Sequence, residues 1–322
     1  MPEPPTLVRR GRLLRIGAAV VVLLAVATYV AVQYATGGRS KPRCTVISAN
    51  GDGASYTFTS EQAVNAATIA AVGTSRGMPE RAVTIALATA LQESGLRNIE
   101  HGDRDSLGLF QQRPTKGWGT ADQIMDPAYA SERFYAHLAK IPGYSRLPLT
   151  AAAQRVQLSG YPQAYAKHEP DATLLAASLT GRAAASLTCD GRAVGGDGAR
   201  SGDPARVRAA LARDFGRDVA PAKGPGASSV RVPVPATVDS AEGGERQRGW
   251  ELAQWAVANS SALRIERVSY AGREWTAEES GESGESGESG DKWRKASSAQ
   301  RGGRSGPAAS MSVGEVRIVT GQ

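Results

Sequence analysis

Apolar positions recur at helical spacing through most of the first 190 residues, and the pattern changes character twice after that. The first apolar run, residues 16–32 (IGAAVVVLLAVATYVAV), is uncharged and follows Arg9, Arg10, Arg12 and Arg15. At about 1.5 Å rise per residue such a run just crosses a bilayer core, so the pattern predicts a transmembrane helix over 16–35 behind a basic segment at 1–15. A cleaved signal peptide is the other reading, because Ala25-Val26-Ala27 has the small-x-small form of a cleavage site. The arginines before the span place the short N-terminus in the cytoplasm, making this a single-pass protein of the cell membrane with its bulk extracytoplasmic.

Beyond the span, Thr59 and Gln62 form a capping box for a helix through Ala63, Ala66, Ile69, Ala70 and Val72. A second helix starts near Pro79, runs through Val83, Ile85, Leu87, Ala90 and Leu91, and meets a stop at Gly95. Residues 96–120 are a long polar loop, of the kind that in a compact domain is functional or unstructured. Helical spacing returns at Pro127 to Lys140, with Tyr129, Phe134, Tyr135 and Leu138 on one stripe, and again at Thr150 to Ser159 and Thr173 to Leu179. These elements predict an all-α domain over 44–189. Residues 190–247 turn to Gly, Pro, Arg and Asp and predict a flexible linker with a short helix at Pro204 to Phe215. From 248 to 322 the pattern predicts a small α+β domain. It comprises an amphipathic helix with Leu252, Trp255, Ala256 and Ile265 inward, a strand at Arg267 to Tyr270, a turn at Gly272 and a last strand at Val316 to Val319. Four E-S-G triplets between Glu279 and Gly290 read as a solvated, low-complexity insertion. The expected fold class is thus mainly α, a helical domain behind a transmembrane helix with a small α+β domain after it.

The two cysteines of the chain, Cys44 and Cys189, bracket the helical domain. Their spacing fits no metal motif, and an even count outside the cytoplasm favours a disulfide that pins the domain's ends, the alternative being two unpaired thiols. The net charge of +7 arises before Cys44, where seven Lys or Arg stand against one acid; the remaining segments balance at twelve against twelve and nineteen against eighteen. No exported domain has a strong basic field, so nucleic-acid binding finds no support. The three histidines, His101, His137 and His168, are far apart and make no paired metal-ligand spacing, so neither a metal nor a cofactor is expected.

The densest chemistry lies in residues 83–115. Glu93 falls in the last turn of its helix, where the carbonyl end of the macrodipole disfavours a carboxylate. With burial added, the neutral, proton-donating form is favoured, which is how a carboxyl becomes a general acid near neutral pH. The competing reading is a solvated charge at a helix end. The motif Q-E-S-G at 92–95, followed by a polar loop and G-L-F-Q at 108–111, resembles the lytic transglycosylases and goose-type lysozymes. The resemblance implies a lysozyme-like fold, Glu93 as catalytic acid with Ser94 beside it, and Gly108, Leu109, Phe110 and Gln111 lining a groove for glycan, with Phe110 where the family has methionine. The counterpart of the family's third motif is Val156-Gln157-Leu158-Ser159-Gly160, which keeps the glycine and lacks the tyrosine and asparagine. Over 56–188 the chain also resembles secreted or membrane-tethered lysozyme-like cell-wall proteins of actinobacteria.

Asp103 and Asp105 are the acids placed to serve as a second carboxylate, which hydrolysis requires; turn capping is the alternative. Arg113, Trp118, Tyr161 and Tyr165 are candidates for sugar contact, with core packing competing. Residues 248–322 resemble a module similar to zinc D-alanyl-D-alanine peptidases, but residues 190–322 contain no His or Cys, so on that likeness the peptidase chemistry has been lost. Together these readings imply a membrane-anchored enzyme that cleaves the peptidoglycan glycan strand, as transglycosylase or muramidase. The alternative is a catalytically silent peptidoglycan-binding protein.

Overall fold

The structure, a computed structural model, describes residues 17, 19–29, 43–158, 162–190, 201–216, 219–224, 226–234, 244–277, 293–296 and 314–321. It divides into two units, Met1–Lys41 and Pro42–Gln322. In the first, residues 19–29 form helix α1, with its valines and leucines exposed and Thr28 Oγ1 donating to the Leu24 carbonyl at 2.7 Å. Among the described residues no helix is long and apolar enough to cross a membrane, so the expected transmembrane helix is not found there. Residues 1–15 and the rest of the predicted span lie outside the described residues.

The second unit corrects the expectation of a mainly α fold: helix makes up 53% of the described residues and strand 18%, in two antiparallel sheets. It opens with strands β1 (Arg43–Ile47) and β2 (Ser55–Thr59), whose burial alternates as a half-covered strand requires. Helix α2 (Ser60–Ser75) starts at the expected capping box, Thr59 Oγ1 accepting from Gln62 N at 3.3 Å while Gln62 Oε1 accepts from Thr59 N at 2.8 Å. Then come α3 (Glu80–Ser94), the single turn α4 (Ala121–Ile124), α5 (Pro127–Leu138), α6 (Leu149–Gln157) and α7 (Glu169–Leu179). Strand β3 (Leu187–Cys189) returns beside β1, so the first sheet has the order β2-β1-β3 and closes the helical lobe. Cys44 and Cys189 are directly paired across β1 and β3 and form a disulfide. Close helix contact in this lobe depends on Gly73: a Cβ there would stand 2.6 Å from the Tyr135 hydroxyl, which donates to the Ile69 carbonyl of α2 at 3.0 Å.

The stretch expected as linker contributes to the core instead. Helix α8 (Pro204–Phe215) occupies the predicted residues, capped by Asp203 Oδ1 on Ala205 N at 2.7 Å, and buries Val207, Leu211 and Phe215. Strands β4 (Ala222–Lys223) and β5 (Ser229–Pro233) follow. Helix α9 (Gly244–Ala258) then carries the chain to α10 (Ser260–Leu263), β6 (Ile265–Tyr270), β7 (Arg273–Thr276), β8 (Trp293–Lys295) and β9 (Glu315–Thr320). The second sheet has the order β4-β5-β9-β6-β7-β8. A separate α+β domain at 248–322 is therefore not what forms, because two of its six strands come from before residue 248 and Pro42–Gln322 is one compact unit. Residues 191–200, 235–243 and the E-S-G insertion lie outside the described residues.

Helix α9 explains that union. It was expected to be amphipathic from Trp250 onward, yet every residue from Gly249 to Ala258 is buried, as for a helix enclosed on all sides. One side packs on the sheet, with Trp250 against Tyr270 and Trp293 at ring distances of 5.3 and 5.1 Å; Ile265, expected inward on this helix, is in β6. The other side meets the helical lobe. Gln254 Oε1 accepts from Ser178 Oγ at 2.7 Å and Leu187 N at 3.1 Å, and its Nε2 donates to the carbonyls of Ser178 and Ala183 at 2.6 and 3.0 Å. Gly181 permits the approach, since a Cβ there would lie 2.0 Å from the Gln247 carbonyl oxygen.

Candidate functional site

Helix α3 ends where the sequence predicts, at Gly95 in the left-handed region with φ 64°. Two side chains of α2 hold that end: Gln62 Nε2 donates to the Gly95 carbonyl and Asn65 Nδ2 to the Leu96 carbonyl, both at 2.8 Å. Glu93 is consequently fixed in the last turn, half-buried, at the carbonyl end of its helix. Its Oε1 accepts a hydrogen bond of 2.7 Å from the Tyr165 hydroxyl. Tyr165 lies in a 3₁₀ segment, Pro162–His168, and is fully buried. It therefore does not offer a face to a sugar, as expected from the sequence, but orients the carboxyl. The neighbouring Gln92 meets the same segment, its Oε1 3.2 Å from His168 Nε2.

His168 and Gln92 had no role in the sequence reading, nor did Asp171 and Tyr56, which face the same place. Burial and Lys167 lower the His168 pKa, with Asp171 opposing; burial raises that of Asp171, with His168 opposing; burial and Asp171 together raise the Tyr56 hydroxyl. No local signal marks these residues, because Gln92 and His168 are separated by most of the helical lobe.

The G-L-F-Q segment is the turn of a small hairpin closed by Leu107 and Gln112, which exchange backbone hydrogen bonds of 2.9 and 3.0 Å. Gly108 has φ 73° with its N–H on the Ile99 carbonyl, and a Cβ there would be 2.8 Å from the Ile124 carbonyl oxygen, so only glycine fits. Ser94 Oγ bonds the Leu109 carbonyl at 2.8 Å and Gln157 Nε2 bonds the Phe110 carbonyl at 2.7 Å. Ser94 and Gln157 thus fasten the hairpin to α3 and α6. The side chains of Leu109 and Phe110 correct the expectation that they line a groove: both are fully buried, Phe110 stacking on Phe134 at 4.7 Å. Gln111, half-buried with φ 48°, lays its amide against Gly102. Leu96, Gln111 and Leu158 are non-glycine residues in the left-handed region, and such strain gathers where surrounding structure imposes it, often at functional sites.

The two loop aspartates divide. Asp105 accepts from Arg113 Nε at 2.6 Å, Thr115 N at 3.0 Å and Thr115 Oγ1 at 2.6 Å, and these donors hold its carboxyl far below the usual range. It is a loop clasp whose donors favour the carboxylate, with Arg113 engaged in it. The Asp103 side chain is 91% exposed and stands 3.9 Å from Arg104 Nε. Trp118 packs on His137 with ring centroids 4.2 Å apart, and Tyr161 lies outside the described residues. Among the described residues no cluster of three or more His, Cys, Asp or Glu is placed to hold a metal. The arrangement around Glu93 can deliver and recover a proton. No protein-family model and no curated protein matches the chain, so a functional reading rests on this geometry together with the motifs at 92–95 and 108–111.

Proposed function

We propose that this protein cleaves the glycan strand of peptidoglycan between N-acetylmuramic acid and N-acetylglucosamine, with Glu93 as the general acid. The observation that carries the reading is the 2.7 Å hydrogen bond from the Tyr165 hydroxyl to Glu93 Oε1 at the end of α3, beside the hairpin fastened by Ser94 and Gln157. The bond fixes one carboxyl oxygen and leaves Oε2 to carry the proton. Glu93 protonates the glycosidic oxygen as its bond to the muramyl anomeric carbon breaks. The resulting carboxylate then takes the proton of the muramyl 6-hydroxyl as that oxygen closes on the anomeric carbon, so one carboxyl serves both steps. This internal route is favoured over hydrolysis because neither loop aspartate suits water activation. Asp105 has its acceptors committed to Arg113 and Thr115, and Asp103 points into solvent.

The test is Glu93→Gln, which keeps size and hydrogen bonding but removes the transferable proton. Turnover of purified cell wall is expected to fall by about 10²- to 10⁴-fold with the fold intact. Wild-type products should carry 1,6-anhydromuramyl ends by mass spectrometry, and Asp103→Asn should leave the rate unchanged. Reducing ends would mark hydrolysis instead. Binding of cell wall with release of neither product would make the protein a glycan-binding module.

A further inference from the structure

The six-stranded sheet has one face against α9 and another toward solvent. Val230, Val232, Val316, Ile318, Val268 and Trp275 point inward and are fully buried. The side chains between them therefore share the outer face. The register sets Arg231 of β5 directly opposite Arg317 of β9, Arg317 opposite Ser269 of β6, Ser269 opposite Glu274 of β7, and Glu274 opposite Arg294 of β8. Arg267 joins this face one row away, opposite Thr276. At about 4.8 Å between strands, the row from Arg231 to Arg294 is about 19 Å long.

Like charges directly opposite on neighbouring strands are unfavourable. Among the described residues the carboxylate beside the Arg231–Arg317 pair is Glu315, whose Oε2 stands 3.7 Å from Arg231 Nη1 and whose Oε1 stands 3.7 Å from Arg317 Nη2, beyond hydrogen-bond range. Both arginine side chains are about half exposed, at 45% and 51%. Across β4 to β9 the strands carry seven Lys or Arg against three Glu. Whole-segment charge balance conceals this, because residues 278–291 hold six acids and no cation.

We propose that this outer face binds a flexible, base-free phosphodiester or polyphosphate chain. Guanidinium forks match phosphate oxygens two at a time, and the adjacent Arg231 and Arg317, with Arg294 at the other end of the row, offer several such forks to a linear polyanion, while Glu274 between them is paired with Arg267 at 3.6 Å. Bases have no platform here, since the large aromatic rings of the sheet, Tyr270, Trp275 and Trp293, are all buried on the inner side. The site is independent of Glu93 and of what that residue does.

Binding of the full chain to medium-length inorganic polyphosphate, read by fluorescence anisotropy at 50 and 200 mM salt, tests this. The expected result is binding that weakens steeply with salt and falls about tenfold in the double variant Arg231→Gln/Arg317→Gln, with Arg206→Gln on α8 as an unchanged control. Both substituted residues are exposed, so the fold should survive; Arg231→Lys/Arg317→Lys, which keeps charge but loses the fork, should fall between. Glu93→Gln should bind as wild type, so a failed enzyme assay and a failed binding assay remain distinct. Equal binding by the wild type and the double glutamine variant overturns the proposal, as does tighter binding of duplex DNA than of polyphosphate. Binding seen only when Glu278, Glu279, Glu282, Glu285 and Glu288 are changed to Gln overturns it too, assigning the face to the chain's own acidic run.

Discussion

The indole nitrogen of Trp255 donates to Oδ2 of Asp214 at 2.8 Å, joining α9 to α8 in the core. Thr68 Oγ1 of α2 bonds the same oxygen at 3.1 Å, and Arg213 Nε reaches Oδ1 at 2.8 Å. One buried carboxylate therefore ties three helices drawn from distant parts of the chain. Asp214→Ala leaves a buried indole N–H and a buried hydroxyl without their acceptor, and should cost about 2–4 kcal/mol. Urea denaturation measures it, and a loss below about 0.5 kcal/mol would show that the carboxylate is not holding these helices.

Glu251, on the same helix, is buried with Arg248 Nη1 at 2.7 Å and the Thr74 hydroxyl as partners. Burial pushes its carboxyl up despite both. The folded state then holds the proton more tightly than the unfolded chain does. Its contribution to stability is full below the ordinary glutamate range and is lost as pH rises through the folded value. Glu251→Gln mimics the protonated form, so its stability relative to wild type should increase from pH 4 to pH 8. Urea melts of both proteins at pH 4, 6 and 8 decide the matter; a difference that stays flat or shrinks contradicts the assignment.

The Cys44–Cys189 disulfide closes a loop with a sequence separation of 145. Chain entropy assigns such a closure about 5 kcal/mol, an upper value because the reduced chain retains some structure. Cys44→Ser/Cys189→Ser should lower the denaturation midpoint accordingly, and reductant should affect wild type but not the double variant. Equal midpoints with and without reductant in the wild type would mean that the bond adds nothing.

Tyr165→Phe keeps the buried ring and deletes only the hydroxyl that orients Glu93. A hydrogen bond to an ionisable group is worth about 1.5–3 kcal/mol, so turnover of cell wall should fall by about tenfold or more with KM little changed. The alkaline limb of the rate–pH profile, where a general acid is lost, should also move, which loss of packing alone would not produce. An unchanged profile with a full rate would remove Tyr165 from the site.

What the sequence determined by itself is what neighbouring residues decide among themselves. The Thr59–Gln62 capping box, the Gly95 stop, the Asp203-capped helix at Pro204–Phe215 and the placement of Glu93 in a last turn all rest on residues a few positions apart. The cysteine pair followed from counting and bracketing. The tertiary structure alone decided what depends on burial and on partners far along the chain. Tyr165 is an aromatic residue like any other until it meets a carboxyl from 72 positions earlier, and Phe110 is a groove candidate until it stacks on Phe134. Strands of two to six residues leave too short an alternation to be recognised singly, and they become a sheet only when partners satisfy their backbone groups. The same cause joined a segment that reads as linker to the core: β5 is five residues of alternating valine whose value lies entirely in pairing with β9, some eighty positions later.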